Sequence, residues 1–321
     1  MRVTAAVERF AVAGAFTIAR GAKTHVDVIA CEIEAGGFVG RGEGTPIYYR
    51  GETARGCLAA IRAWAASGGH EDRMALQREL TPGAARNAID CALWDLAARR
   101  SGTPVWRLAS LPPPRPALTA WTVSLGQADA MAEAALAASR RGFRLIKLKL
   151  AGDGADLARL GAIRAAVPRA RLIVDANESW QAPALLPQAL ALADFGVELI
   201  EQPLPHGDDA ALEGFRAAVP LCADESCHTT GEVPLVARRY QAVNVKLDKA
   251  GGLTAALALI RAAQAAGLEV MLGCMLATSR AIRFALALAP LARWVDLDGP
   301  ALLARDRPGG LRYEEGRIWP D

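Results

Sequence analysis

The sequence predicts an α/β chain in which a parallel (β/α) barrel follows a smaller α+β module. Past residue 116, short apolar runs alternate with alanine-rich helical segments. TAWTVSL, RLIKLKL, RLIVDAN, VELIEQP, PLCADES, AVNVKLD, LEVMLGC and RWVDLDG recur about once per βα unit. Eight strands separated by helices favour a barrel over a doubly wound sheet. Ahead of residue 111 the order changes to strands followed by helices, the pattern of an α+β unit. Between the two lies LPPPRP, residues 111–116, a rigid linker that marks a domain boundary.

Within the first module, HVDVIACEIEAG carries partial alternation and β-branched residues and reads as a strand. Three helical stretches follow from about Gly51. The clearest spans 84–100, with Thr81 and Pro82 as its start signal, apolar positions at Ile89, Leu93 and Leu96, and Gly102 as its stop. The tail from Ala301 has no helical period and is expected to fold back onto the first module. The boundaries are then 1–113, 114–300 and 301–321.

Composition narrows the function classes. A chain of 321 residues accommodates a barrel plus a second domain. With 37 basic against 34 acidic residues and no basic run, nucleic acid is not an expected partner. The opening MRVTAAVERFAVAG is interrupted by Glu8 and Arg9 and lacks a cleavage pattern, and no apolar run reaches the ~18 residues that a membrane span needs. A cytoplasmic protein without a membrane partner is expected. Six cysteines without a CxxC pair imply buried reduced thiols, and the four histidines offer zinc only the loose pair Cys227 and His228. The alanine-rich helices suit a monomer or a homo-oligomer.

In a parallel barrel the C-terminal strand ends surround the active site, so the polar residues that end each run are the informative ones. Run two ends with Lys147 and Lys149, run three with Asp175 and Asn177, and run four with Glu201. Run five ends with Asp224 and Glu225, run six with Lys246 and Asp248, and run eight with Asp296 and Asp298. Asp175, Glu201 and Asp224 fall on successive strands and would converge. Three gathered carboxylates repel unless a cation neutralises them, and all-oxygen ligation favours Mg²⁺, one per subunit. The competing reading makes each acid a cap for the following helix. Lys147 and Lys149, two apart on one strand, face the same side, and Lys246 lies four strands away across the barrel. Desolvation lowers a lysine pKa toward general-base work, so lysines on both faces of a metal-bound carboxylate would move its α-proton. Buried salt bridges to the three acids are the alternative. Asp296 and Asp298, also two apart, would seat an ammonium group.

Taken together, KLKL, VDANESW, LIEQPL, CADES and VNVKLDKAGG resemble the enolase superfamily, in its muconate-lactonizing subgroup with Lys-x-Lys on strand two and a lysine on strand six. The likeness covers nearly the whole chain. It implies a modified TIM barrel, (β/α)7β, with an N-terminal α+β capping domain. It further implies Asp175, Glu201 and Asp224 as metal ligands, Lys149 and Lys246 as the opposed acid/base pair through an enediolate, and Lys147 on the substrate carboxylate. No histidine ends strand six or seven, which disfavours the mandelate-racemase branch. The Asp-x-Asp of VDLDGP, with GCMLATS before it, resembles the dipeptide epimerases. L-Ala-L-Glu and L-Ala-D-Glu are then the expected substrate pair and murein-peptide recycling the expected role. Arg20, where that family's mobile capping loop meets the distal end of the substrate, is a candidate partner for the glutamate γ-carboxylate, and Thr122 a candidate hydrogen-bond donor. The alternatives are an N-acylamino-acid racemase, a cycloisomerase or o-succinylbenzoate synthase of the same subgroup, and a non-catalytic protein on the same scaffold. The last is disfavoured because all five chemical positions are filled.

Overall fold

The computed structural model describes residues 1–320. The chain opens with an antiparallel sheet of β1 (Arg2–Ile18), β2 (Gly21–Ala35) and β3 (Phe38–Gly44). β1 and β2 form a long hairpin whose register shifts between Ala11 and Phe16. Only β2 reads as a strand in the sequence, because β1 is mostly exposed and its alanines, Glu8 and Arg9 leave no clean alternation.

Helices α1 (Ala54–Ala66), α2 (Arg73–Glu79) and α3 (Ala84–Ser101) follow, then the short α4 (Val105–Leu108). β3 turns Gly40, Gly42 and Gly44 toward α3. A Cβ at these positions would lie 2.1, 2.0 and 2.2 Å from the carbonyl oxygens of Ala92, Ala88 and Ala84, so the helix rests on bare strand backbone. α3 stops at Gly102 in the left-handed conformation, φ 64°. Its start differs from the expectation. Gly83 is the N-cap, Thr81 and Pro82 lie ahead of it, and the Ala84 amide is met by the Glu52 carboxylate at 3.2 Å rather than by a capping hydroxyl.

After β4 (Ala117–Leu118) come the barrel strands: β5 (Ala120–Val123), β6 (Leu145–Lys149), β7 (Arg171–Asp175), β8 (Val197–Glu201), β9 (Leu221–Ala223), β10 (Ala242–Val245), β11 (Glu269–Gly273) and β12 (Trp294–Asp296). They form one parallel sheet in chain order. The connections carry α5 (Ala128–Arg140), α6 (Asp156–Ala166), α7 (Ala182–Asp194), α8 (Val233–Arg239), α9 (Leu247–Ala250), α10 (Leu253–Ala265) and α11 (Ser279–Leu286), with only a 3₁₀ turn between β8 and β9. Another 3₁₀ turn follows β12 where an eighth helix would stand, and the fold is the modified (β/α)7β barrel with its preceding α+β domain. Side chains bridge the seam between β12 and β5: the Leu297 amide donates to Thr119 Oγ1 at 3.0 Å and the Thr122 amide to Asp298 Oδ2 at 2.6 Å.

The tail divides its contacts. The Ala304 amide donates to the Ala11 carbonyl at 2.8 Å, and Arg307 pairs with Glu43 at 2.8 Å in the first domain. Beyond it, β13 (Arg312–Glu314) and β14 (Arg317–Trp319) form a small sheet with β4, at the barrel end away from the mouth. Among the described residues no helix is long and apolar enough to cross a membrane, and all six cysteines are unpaired.

Inside the barrel, each strand contributes one residue to a packed floor: Ala120, Leu145, Ile173, Leu199, Cys222, Ala242, Met271 and Trp294. Side chains on a strand alternate between faces, so the next inward position lies two residues on. Those positions are Thr122, Lys147, Asp175, Glu201, Asp224, Asn244, Gly273 and Asp296. Apolar floor thus gives way to a polar layer in one step along every strand but β11, which contributes Gly273.

Candidate active site

Above that layer opens a cavity of about 250 Å³ lined by Thr122, Lys147, Lys149, Asp224, Lys246, Asp296 and Asp298, with Arg20 and Lys23 from the β1–β2 hairpin. The three strand-end acids are buried to 1% exposure or less. Lysine ammonium groups lie among them. Lys147 Nζ stands 3.1 Å from Asp175, 2.6 Å from Glu201 and 2.8 Å from Asp296. Lys149 meets Asp175 at 2.6 Å, and Lys246 meets Asp224 at 2.6 Å from the far side. The side chains expected to work together therefore form one connected cluster.

The lysine electrostatics depart from the expectation. Burial works to lower the pKa of Lys246, but the charges of Asp224 and Glu201 outweigh it and hold the ammonium well above its usual value. Lys147 is held up in the same way by Asp296, Glu201 and Asp175 against its burial. In this arrangement Lys246 is an acid, and it serves as a base only once the Asp224 charge is compensated. The carboxylates respond in opposite senses. Burial opposes ionisation of Asp175, yet Lys149 and Lys147 hold it below the usual range. Burial with the charges of Asp175 and Asp224 pushes Glu201 up to about 7, because it faces other acids as well as Lys147.

The donor chemistry suits a hard divalent cation. All candidate ligand atoms are oxygens, and Glu201 Oε2 and Asp224 Oδ1, both buried, are met by the ammonium groups of Lys147 at 2.6 Å and Lys249 at 2.7 Å, positive charge that stands where a cation would. Among the described residues no three acid, histidine or cysteine side chains stand as a finished metal cage, since the lysines lie between them.

Asp296 and Asp298 both line the cavity, though not as a strand pair. β12 ends at Asp296, and Asp298 is the N-cap of the 3₁₀ turn Gly299–Leu302. Asp296 Oδ1 is buried without a hydrogen bond, and burial with the neighbouring Asp296 charge pushes Asp298 up to about 7. Thr122, besides lining the cavity, fixes Asp298 through its amide. Arg20 sits in the hairpin turn and pairs with Glu178 at 2.7 Å and with Glu225.

Three neighbours escape the strand-end pattern. Asn244 Nδ2 donates to Glu201 Oε1 at 2.6 Å, and a Cβ on Gly273 would come within 2.4 Å of Asn244 Oδ1. Lys249, fully buried, donates to the carbonyls of Asp224, Cys227 and Asn244 at 2.5, 2.9 and 2.8 Å, tying the ends of β9 and β10 together. The period-2 step from the apolar floor would have found Asn244 in the sequence. Nothing in the local pattern marks Lys249.

Comparison with known proteins agrees with this architecture. Residues 1–109 match the mandelate racemase / muconate lactonizing enzyme N-terminal domain, and residues 129–321 match the enolase C-terminal domain-like family. The chain is 47% identical to the L-Ala-D/L-Glu epimerase of Escherichia coli (strain K12), over 94% of each chain. It is also 47% identical, over 75% of each chain, to an N-acetyl-D-glutamate racemase of Pseudoalteromonas sp. Among solved structures, an enolase family member from Agrobacterium tumefaciens with homology to dipeptide epimerases, holding sodium and L-Ala-L-Glu, superposes with TM-score 0.95 at 44% identity, covering 99% of this chain and 97% of that one. The Enterococcus faecalis V583 dipeptide epimerase complexed with Mg and L-Leu-L-Tyr gives TM-score 0.93 at 30% identity, over 100% and 96%. The chain belongs to the mandelate racemase / muconate lactonizing enzyme family of the enolase superfamily, and within it to the dipeptide epimerases, isomerases that act on amino acid derivatives.

Proposed function

We propose that this enzyme interconverts L-Ala-L-Glu and L-Ala-D-Glu with the help of one Mg²⁺ per subunit, moving the α-proton of the C-terminal residue between two lysines. The observation that carries the reading is the placement of Lys149 and Lys246. Their strands, β6 and β10, are four apart in an eight-stranded barrel, so the two amines approach the cavity from opposite walls with the acid cluster between them.

Asp175, Glu201 and Asp224 are the residues that would hold the cation. Bound there, it would fix the substrate carboxylate and stabilise the negative charge that grows as the α-proton leaves. Lys147 reaches the same carboxylate. One of Lys149 and Lys246, as the neutral amine, takes the proton from one face of the α-carbon. The other, as the ammonium, delivers a proton to the opposite face, and the reverse reaction exchanges their roles. Asp296 and Asp298 seat the N-terminal ammonium, which would relieve both the unbonded Asp296 Oδ1 and the repulsion that raises Asp298. Thr122 holds Asp298 in place, and Arg20 faces the glutamate side chain from the hairpin. The role we assign is recycling of murein peptides in the cytoplasm.

¹H NMR of L-Ala-L-Glu in D₂O with enzyme and Mg²⁺ tests this. Loss of the glutamate α-proton with growth of L-Ala-D-Glu is expected, and absence of exchange would overturn the reading. The Pseudoalteromonas relative favours a second reading, racemisation of N-acylated glutamate. That substrate has no ammonium for Asp296 and Asp298, so turnover of N-acetylglutamate in preference to the dipeptide would select it.

A further inference from the structure

A second cleft, of about 420 Å³, lies outside the barrel mouth, between the first domain and the barrel flank. Arg41 and Arg99 line it from the first domain, and Arg280, Arg283 and Arg307 from α11 and the tail, with Asp95 as the one acid in its wall among the described residues. Most of these cations are already met. Arg41 pairs with Glu32 at 2.8 Å, Arg99 with Asp95 at 2.8 Å and Arg307 with Glu43 at 2.8 Å, while Arg283 donates to the Gly309 carbonyl. Arg280 differs. Among the described residues its guanidinium has no ion pair and no hydrogen bond, and only its backbone amide is engaged, by Thr278. It is half-buried, and its burial and the like charge of Arg307 outweigh the carboxylates of Glu43, Glu8 and Glu32, which lie beyond ion-pair distance.

An arginine that is desolvated, repelled by a neighbour and unpaired costs free energy that an anion would return. Guanidinium groups present planar forks of N–H donors that suit oxyanions, and the side chains of Arg41 and Arg99 are 41% and 49% exposed, with donors to spare. We propose that this cleft is a binding site for a phosphate-bearing small anion, with Arg280 as its central contact. A monocarboxylate would satisfy Arg280 alone, whereas a phosphate has oxygens enough for arginines of both walls. The ligand would then bridge the first domain and the barrel, and its binding would be read as stabilisation. The site does not depend on which substrate the barrel turns over.

Inorganic phosphate is the probe, titrated into the full-length enzyme at constant ionic strength and followed by thermal midpoint and calorimetry, with sodium chloride and acetate in parallel. A saturable upward shift of a few degrees is expected with phosphate and not with chloride or acetate. Arg280→Gln should bind phosphate at least tenfold more weakly while its dipeptide turnover without phosphate stays within twofold of the parent. Arg99→Gln, a change at an exposed position on the opposite wall, should weaken binding as well and covers the case in which the Arg280 variant folds poorly. Equal shifts with chloride would overturn the proposal, and so would undiminished phosphate binding in both variants, which would place the anion at the barrel mouth. An acetate response equal to that of phosphate would overturn the phosphate assignment.

Discussion

At the scale of single residues, the site is a set of charges whose states depend on one another. If Lys149 and Lys246 are the two proton carriers, their loss separates exchange from inversion. Lys149→Ala and Lys246→Ala should each lower epimerisation by about 10³-fold, in line with general acid–base catalysis. Each variant should still exchange the α-proton of one diastereomer in D₂O, opposite in the two cases. Exchange of both diastereomers by a single-lysine variant would refute the two-base scheme. Asp298 supplies a pH dependence. Its carboxyl is raised to about 7, and only the carboxylate attracts the substrate ammonium. KM for the dipeptide should therefore rise as the pH falls through about 7, approaching tenfold per unit on the acid side. Asp298→Asn should show a high KM without that slope. A KM that stays flat from about pH 6 to pH 8 would remove Asp298 from ammonium binding.

The scale of elements shows what the sequence made legible. The barrel runs could be read because strands buried on both faces are short and apolar, and because a lysine or acid at their ends is conspicuous against that background. LIKLKL announces both the strand and two site residues in six letters. Three kinds of feature stayed hidden. β1 is a long strand with little burial, so its pattern is blurred. Asp298 looked like a strand residue, but the chain leaves the strand at Asp296, and across the seam the Thr122 amide holds its carboxylate at the cavity wall. The lysine protonation depends on carboxylates that arrive from other strands, which no local rule contains. The GRGEG run of β3 is a fourth case, legible only once α3 is seen lying on it. A methyl group at Gly42 would fall 2.0 Å from the Ala88 carbonyl oxygen and 2.6 Å from the Ala92 nitrogen, both backbone atoms that cannot give way cheaply. Gly42→Ala should thus destabilise the protein by about 3 kcal/mol. That corresponds to a thermal midpoint lower by roughly 4 to 5 °C, measurable by circular dichroism. An unchanged midpoint would mean that α3 does not ride on the bare strand.

For the whole molecule, the relation between the two domains decides whether the barrel is an independent machine. Buried bonds cross between them just past the C-terminal end of β10, where Lys246 stands. Asp248 Oδ1 accepts from the Thr45 amide at 2.8 Å and from Asn87 Nδ2 at 2.7 Å, and Thr254 donates its amide to Asp90 at 3.0 Å. Arg86, on α3, donates to the carbonyls of Ala250 and Gly251 at 2.6 and 3.1 Å and to those of Gln77 and Leu80 at 3.1 and 3.0 Å. One guanidinium therefore joins the end of α9 to the C-terminal end of α2 in the first domain. The polar contacts are buried, so neither domain can be freed without leaving unmet carbonyls and a stranded charge. We expect the enzyme to unfold calorimetrically in a single transition. Arg86→Ala should cost about 4 kcal/mol, from several charge-assisted hydrogen bonds lost together. It should also lower kcat by about tenfold, because the α9 segment behind Lys246 loses its anchor and the amine its position. Two transitions in the parent enzyme would show that the domains fold independently. A variant that unfolds early yet keeps full kcat would show that the junction holds the fold but does not position the lysine.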